Sequence, residues 1–191
     1  SFFADATIPE ISDKILRNFD NRVWQKVKST TTNLNLNKAV IMASVIEKET
    51  GRPITGVDNS NIDEVNMERK NVASTFYNRL KKDQPWESDP SVVYGSGKRV
   101  CQSTLTVEGC VYLNGPEGKN KYNTYDNAGY PIGPITSPQW YNIQAALEPA
   151  KTNFLFFVSD GIGRKYFAET NSGHEANIAK AQKINSERVQ K

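Results

Sequence analysis

Ala39-Val40-Ile41-Met42-Ala43-Ser44-Val45-Ile46-Glu47-Lys48-Glu49-Thr50 is the most apolar stretch of the chain, and it runs straight into acids. Residues 39 to 46 are apolar on every side except at Ser44, and a helix that is apolar all round is a buried helix. Gly51 fits the position after its last turn, and Pro53 prevents continuation. Glu47 thus stands at the mouth of a buried helix. A carboxylate there is costly unless it is paired, solvated or protonated, and proteins often keep such a group because they use it. The competing reading is an acid salt-bridged to Arg52 or Arg79. On the residues alone the two readings stand even.

The flanking segments supply walls for this helix. Ile11, Ile15, Leu16, Phe19, Val23, Trp24 and Val27 predict an amphipathic helix over residues 10–28, after a strand or loop over residues 1–10. Val65, Val72, Phe76 and Leu80 mark a second buried stripe over residues 64–82, with Arg69 and Lys70 on its wet face. Asp89-Pro90 reads as a turn, and Ser91 to Tyr94 as a short strand or helical turn. Residues 95–121 are rich in Gly and polar residues and predict a hairpin. Residues 122–138 form an ordered loop. A third helix follows over 137–147. Phe154 to Val158 is the clearest strand, and Asp160-Gly161 turns it back into Lys165 to Glu169. A polar helix over 172–189 closes the chain. Helices early and hairpins late give an α+β class, as one domain over 1–191.

Composition narrows the chemistry. With 24% charged and 37% hydrophobic residues the chain is an ordinary globular domain. A net charge of +3 with no clustering of Lys and Arg among aromatics does not suit nucleic acid. No GxGxxG or GxxxxGK[ST] loop is present, so no nucleotide cofactor is expected, and no clustered ligands predict a metal. Cys101 and Cys110 either close a hairpin as a disulfide or remain two thiols. The single His, His174, reads as a cap or surface group before a catalytic one. What remains is acid–base chemistry by a carboxyl group. Glu47 and Glu49 are the obvious pair, but positions i and i+2 point to nearly opposite faces of a helix. They cannot sit the ~5–5.5 Å apart that a retaining glycosidase needs. A partner for Glu47 would have to come from Glu87 or Asp89.

At this point the residues resemble a family. Ala43 to Thr50 is similar to the ASIIEKET signature of YceG-like, MltG-type endolytic transglycosylases of bacterial peptidoglycan. Val72-Ala73-Ser74-Thr75-Phe76-Tyr77-Asn78-Arg79-Leu80 resembles that family's VASVFxNRL helix, and Ser88-Asp89-Pro90-Ser91-Val92-Val93-Tyr94-Gly95 its SDPTVxYG turn. Tyr122-Asn123-Thr124-Tyr125 with Gly129-Tyr130-Pro131-Ile132-Gly133-Pro134-Ile135 resembles YNTY…GLPPGPI, and His174 stands where the family often carries a His. Residues 51–68 and 96–121 look enlarged, and Tyr130 and Ile132 replace the usual Leu and Pro.

The resemblance implies a lytic transglycosylase that needs one acid and no cofactor. One Glu protonates the oxygen between N-acetylmuramic acid and N-acetylglucosamine, then accepts the proton of the sugar's own C6 hydroxyl as a 1,6-anhydro ring closes. An acid in that role starts protonated, a state that burial favours. The expected acid is Glu47. Ser44, one turn earlier, is expected to hydrogen-bond it. Asp89 and Tyr94 would roof the cleft, and Asn123 and Tyr125 would orient the sugar. The resemblance also implies peptidoglycan strands as substrate, peptidoglycan synthases as partners, and a membrane anchor with a LysM-like subdomain upstream. That would place the domain outside the cytoplasmic membrane. Rival readings are a hydrolase using Glu47 with Glu87 or Asp89, and a glycan-binding module without catalysis. An aminodeoxychorismate lyase, a label the family has carried, would need pyridoxal phosphate and its phosphate loop.

Overall fold

In the computed structural model the described residues are 5–28, 35–51, 62–100, 110–111, 119–161 and 163–189. The chain divides into two compact units, Ser1–Leu34 and Asn35–Lys191.

In the first unit, helix α1 spans Ile8–Phe19, a wider π-type turn spans Asp20–Trp24, and α2 spans Gln25–Val27. The amphipathic period over 10–28 therefore does form helix. It starts earlier than the sequence suggests. The Glu10 carboxylate accepts from both the Thr7 amide and hydroxyl, and Pro9 fits the first turn.

The second unit is built on the apolar stretch. Helix α3 (Leu36–Thr50) starts where Asn35 Oδ1 accepts from Asn37 N, and ends at Gly51 with φ 73°. Only glycine takes that conformation without steric cost. Residues Ala39, Met42, Ala43, Val45 and Ile46 are fully buried. Helices α4 (Ile62–Lys81) and α6 (Trp140–Leu147) cover this core through Val72, Ala73 and Phe76 on one side and Ile143 and Ala146 on the other. Phe76 also stacks on Trp86 with ring centroids 4.7 Å apart and meets Phe157 edge-on at 5.9 Å. Such pairs add ~0.5–1.5 kcal/mol each beyond their burial.

Three expectations change here. Asp89-Pro90 is the first turn of a helix, α5 (Asp89–Ser96), because Pro fits a helix start as readily as a turn. Arg69 is not on a wet face but 2% exposed, with its guanidinium 5.3 Å from the Tyr141 ring. Strands β1 (Arg99–Val100) and β2 (Cys110–Val111) pair in parallel, not as a hairpin. The segment between them exceeds the two to five residues or so of a tight hairpin loop. Cys101 lies outside the described residues, as does the side chain of Cys110, so their pairing does too. The late hairpin is antiparallel as expected: β3 (Phe156–Ser159) and β4 (Lys165–Ala168) pair Phe156 with Ala168 and Phe157 with Phe167. Helix α7 (Asn171–Val189) follows. The mixed helical and antiparallel arrangement is α+β.

Candidate active site

The last turn of α3 sends its two acids in different directions, as the i, i+2 relation requires. Glu47 turns inward and is 2% exposed. Its Oε2 accepts from the backbone N of Gln139 at 2.6 Å and from Asn142 Nδ2 at 3.1 Å. Those donors are the N-cap and first turn of α6, where unpaired N–H groups and the positive end of the helix dipole favour an acceptor. The Arg69 guanidinium lies within the field of Glu47; burial lowers its pKa, and Tyr141, Glu68 and Glu47 offset part of that. Glu47 thus joins α3 to α6 inside the core.

Glu49 faces the other way, into a cavity of about 170 Å³. Helix α4 contributes Arg79 to its wall, and the segment before α5 contributes Trp86 and Glu87. Asp89 and Tyr125 close one side, and Phe156, Phe157 and His174 the other. Burial raises the Glu49 pKa above its ordinary value. The Ser88 hydroxyl and the charge of Lys165 pull against that rise, and the charge of Asp89 adds to it. Ser88 Oγ donates to Glu49 Oε1 at 2.6 Å. A carboxyl whose proton is held by burial, at a cavity wall, is what general acid catalysis requires.

The rest of the wall is fixed by hydrogen bonds. Arg79 donates to the carbonyls of Leu155, Pro85 and Trp86 and to Glu87 Oε2 at 2.7 Å, which ties α4 to both sides of the cleft. Tyr125 Oη donates to Asp89 Oδ1 at 2.6 Å; burial first, then Asp89, raises its pKa strongly. His174 stacks on Phe156 at 5.2 Å and 21°, and burial with the charge of Arg79 lowers its pKa. Thr124 joins the two loops. Its hydroxyl accepts from Ser88 N and bonds Ser91 Oγ, while its carbonyl accepts from Glu87 N. Glu87 holds φ 54°, a left-handed conformation that costs a non-glycine residue ~1–2 kcal/mol. Among the described residues no group of His, Cys, Asp and Glu is placed to hold a metal.

Of the expected site residues, Asp89 and Tyr125 line the cavity with Glu49, and Glu47 does not. Ser44 does not reach Glu47. Its Oγ donates to the Ile41 carbonyl and accepts from Ile135 N, which pins the loop before α6 to the core. Asn123 is fully buried and builds its own turn, accepting from Tyr125 N and donating to Asp126. Tyr94 is 51% exposed and packs edge-on against Tyr122 at 4.8 Å, away from the cavity wall. Ser88, Arg79 and Phe156 enter the site without having been singled out for it, and Glu49, set aside above as a partner of Glu47, enters it on its own. One signal for Glu49 was present: if burial is complete through Ile46, the next acid is still inside, and the one after it is the first free to meet a cleft.

The YceG-like family model matches residues 1–180. A Bacillus subtilis (strain 168) protein named endolytic murein transglycosylase is 31% identical over 186 residues, covering 95% of this chain and 44% of that protein. A Streptococcus pneumoniae serotype 2 protein of the same name is 29% identical over 177 residues, covering 91% of this chain and 29% of that one. The crystal structure of a yceG-like protein from Listeria monocytogenes matches with a TM-score of 0.66 at 28% identity, covering 92% of this chain and 50% of the other. The chain therefore spans less than half the length of these curated relatives.

Proposed function

The chain belongs to the YceG-like family, and from that premise we propose that it is the catalytic domain of an endolytic murein transglycosylase with Glu49 as its acid and base. Glu49 gives its proton to the glycosidic oxygen as the bond from C1 of N-acetylmuramic acid to that oxygen breaks. The resulting carboxylate takes the proton of the C6 hydroxyl as O6 bonds C1. Atoms balance without water, and the nucleophile belongs to the substrate, so one carboxyl suffices. Asp89, with its charge toward the cavity, faces the positive charge that develops at the sugar ring. Peptidoglycan strands are the substrate. An anchor at the outer face of the cytoplasmic membrane and a neighbouring synthase belong to the same reading.

One observation carries the choice of acid. Glu49 lines the cavity with its pKa raised by burial, whereas Glu47 is enclosed and accepts from the start of α6. The name shared by the relatives supports the reaction class. The test is digestion of purified peptidoglycan by Glu49→Gln and Glu47→Gln, with product ends read by mass spectrometry. Glu49→Gln is expected to form no 1,6-anhydro ends; undiminished ends would overturn the assignment. A hydrolase is the second reading, because Glu87 and Asp89 share the cavity with Glu49. It would leave reducing ends in place of anhydro ends.

A further inference from the structure

Ser88 stands at the N-cap of α5 with extended backbone, φ −97° and ψ 110°. A serine there ordinarily accepts from an amide in the first helical turn. This one makes no side-chain cap bond. Its hydroxyl is committed instead to Glu49 Oε1 at 2.6 Å, and the residue is 1% exposed. The backbone around it is held from both sides: Ser88 N donates to Thr124 Oγ1, and the Ser88 carbonyl accepts from Ser91 Oγ at 2.6 Å. A residue that forgoes its cap to hold a cleft-facing carboxyl is positioned for that carboxyl.

We propose that Ser88 is a positioning residue for the reaction assigned to Glu49: its hydroxyl occupies Oε1 and so reserves Oε2 for the proton that is transferred. Hydroxyl donors rotate, but this one is committed to a single oxygen, Oε1, of a carboxyl that lines the cavity. After proton transfer the same bond becomes charge-assisted and strengthens, which steadies the carboxylate for its second task as base. The inference rests on the proposed role of Glu49. The groups that act on Glu49 or share its cavity are Asp89 at the start of α5, Lys165 of β4, Arg79, Glu87, Tyr125 and His174. None of their hydrogen bonds described above goes to Oε1.

The experiment compares wild type, Ser88→Ala and Ser88→Thr. Two readouts are used: the pH dependence of anhydro-end formation, and the titration of the Glu49 carboxyl followed by carbon-13 NMR. Loss of a donor to the carboxylate raises the Glu49 pKa. Activity that needs the protonated acid falls as pH rises, so Ser88→Ala is expected to move both the NMR midpoint and the falling limb to higher pH. It is also expected to lower kcat about tenfold, the effect of one hydrogen bond to a charged group, with KM changed less. Ser88→Thr keeps the hydroxyl and is expected to restore both. A folded Ser88→Ala protein whose Glu49 titrates as in wild type would overturn the inference, since a purely structural serine would change stability alone. Failure of a folded Ser88→Thr protein to restore the midpoint would do the same. The NMR readout does not need turnover, so it stands apart from the result of Glu49→Gln on peptidoglycan, on which the catalytic role of Glu49 depends.

Discussion

Replacing Glu47 separates a buried structural acid from a catalytic one. Glu47→Ala removes the acceptor of the Gln139 amide and of Asn142 Nδ2, both in the core, and takes away one of the charges that support Arg69. Each buried donor left unsatisfied costs ~1–3 kcal/mol, and breaking a buried charged contact costs ~3–5 kcal/mol in all. We expect a loss of about 4 kcal/mol. For a protein of this size that corresponds to ~8–16 °C in Tm. Glu47→Gln keeps one acceptor oxygen on the same stem, so its cost should be nearer ~1–2 kcal/mol. The assay is thermal and urea unfolding of each variant, with anhydro-end formation measured at a temperature where Glu47→Gln is fully folded. Its kcat should stay within about twofold of wild type, since it gives no proton to substrate. A general acid accounts for ~10²–10⁴ in rate. A folded Glu47→Gln protein that loses activity on that scale, beside an active Glu49→Gln, would refute the reasoning and return the acid to Glu47.

Other outcomes follow from the charges around Glu49. The Glu49 pKa is raised in the folded protein above its ordinary 4.5. The folded state therefore binds that proton more tightly, so stability is full below the unfolded pKa and is lost as pH rises through the folded one. Glu49→Gln should then be inactive yet more stable than wild type at neutral pH, with a gap between urea midpoints that narrows toward pH 4. Asp89→Asn removes a charge that raises both Glu49 and Tyr125. The falling limb of activity should move to lower pH, opposite to the effect of Ser88→Ala, and ultraviolet titration should show Tyr125 ionising earlier. Coincident shifts in the same direction for both variants would contradict the placement of these groups.

The α+β class, α3 and the α4 stripe were all legible in the residues. They depend on hydrophobic period and local caps, which are properties of neighbouring positions. The resemblance added the segments around residues 88 and 122. What the residues did not show was the use made of several polar side chains. Ser44, Asn123 and Arg69 read as surface or site residues because polar side chains usually prefer water. Ser44 and Asn123 are buried and satisfied by a partner far off in sequence or by their own turn, Ser44 by Ile135 and Asn123 by Tyr125 and Asp126; Arg69 is buried against Asn66 and the Tyr141 ring, and its Nε has no hydrogen-bond partner among the described residues.

The sequence by itself determined that α3 is buried on all sides and that two acids at its end cannot work together. It also pointed to the YceG-like family, through motifs spread over most of the chain. Only the tertiary structure decided which acid meets the cleft. That depends on where α6 begins and where the 86–89 segment crosses α3, and neither is written in the helix that carries Glu47 and Glu49. The start of α6 offers unpaired amides to Glu47, and Ser88 offers a hydroxyl to Glu49 beside open space. Two residues of rotation on one helix separate a core contact from a carboxyl at the cavity wall.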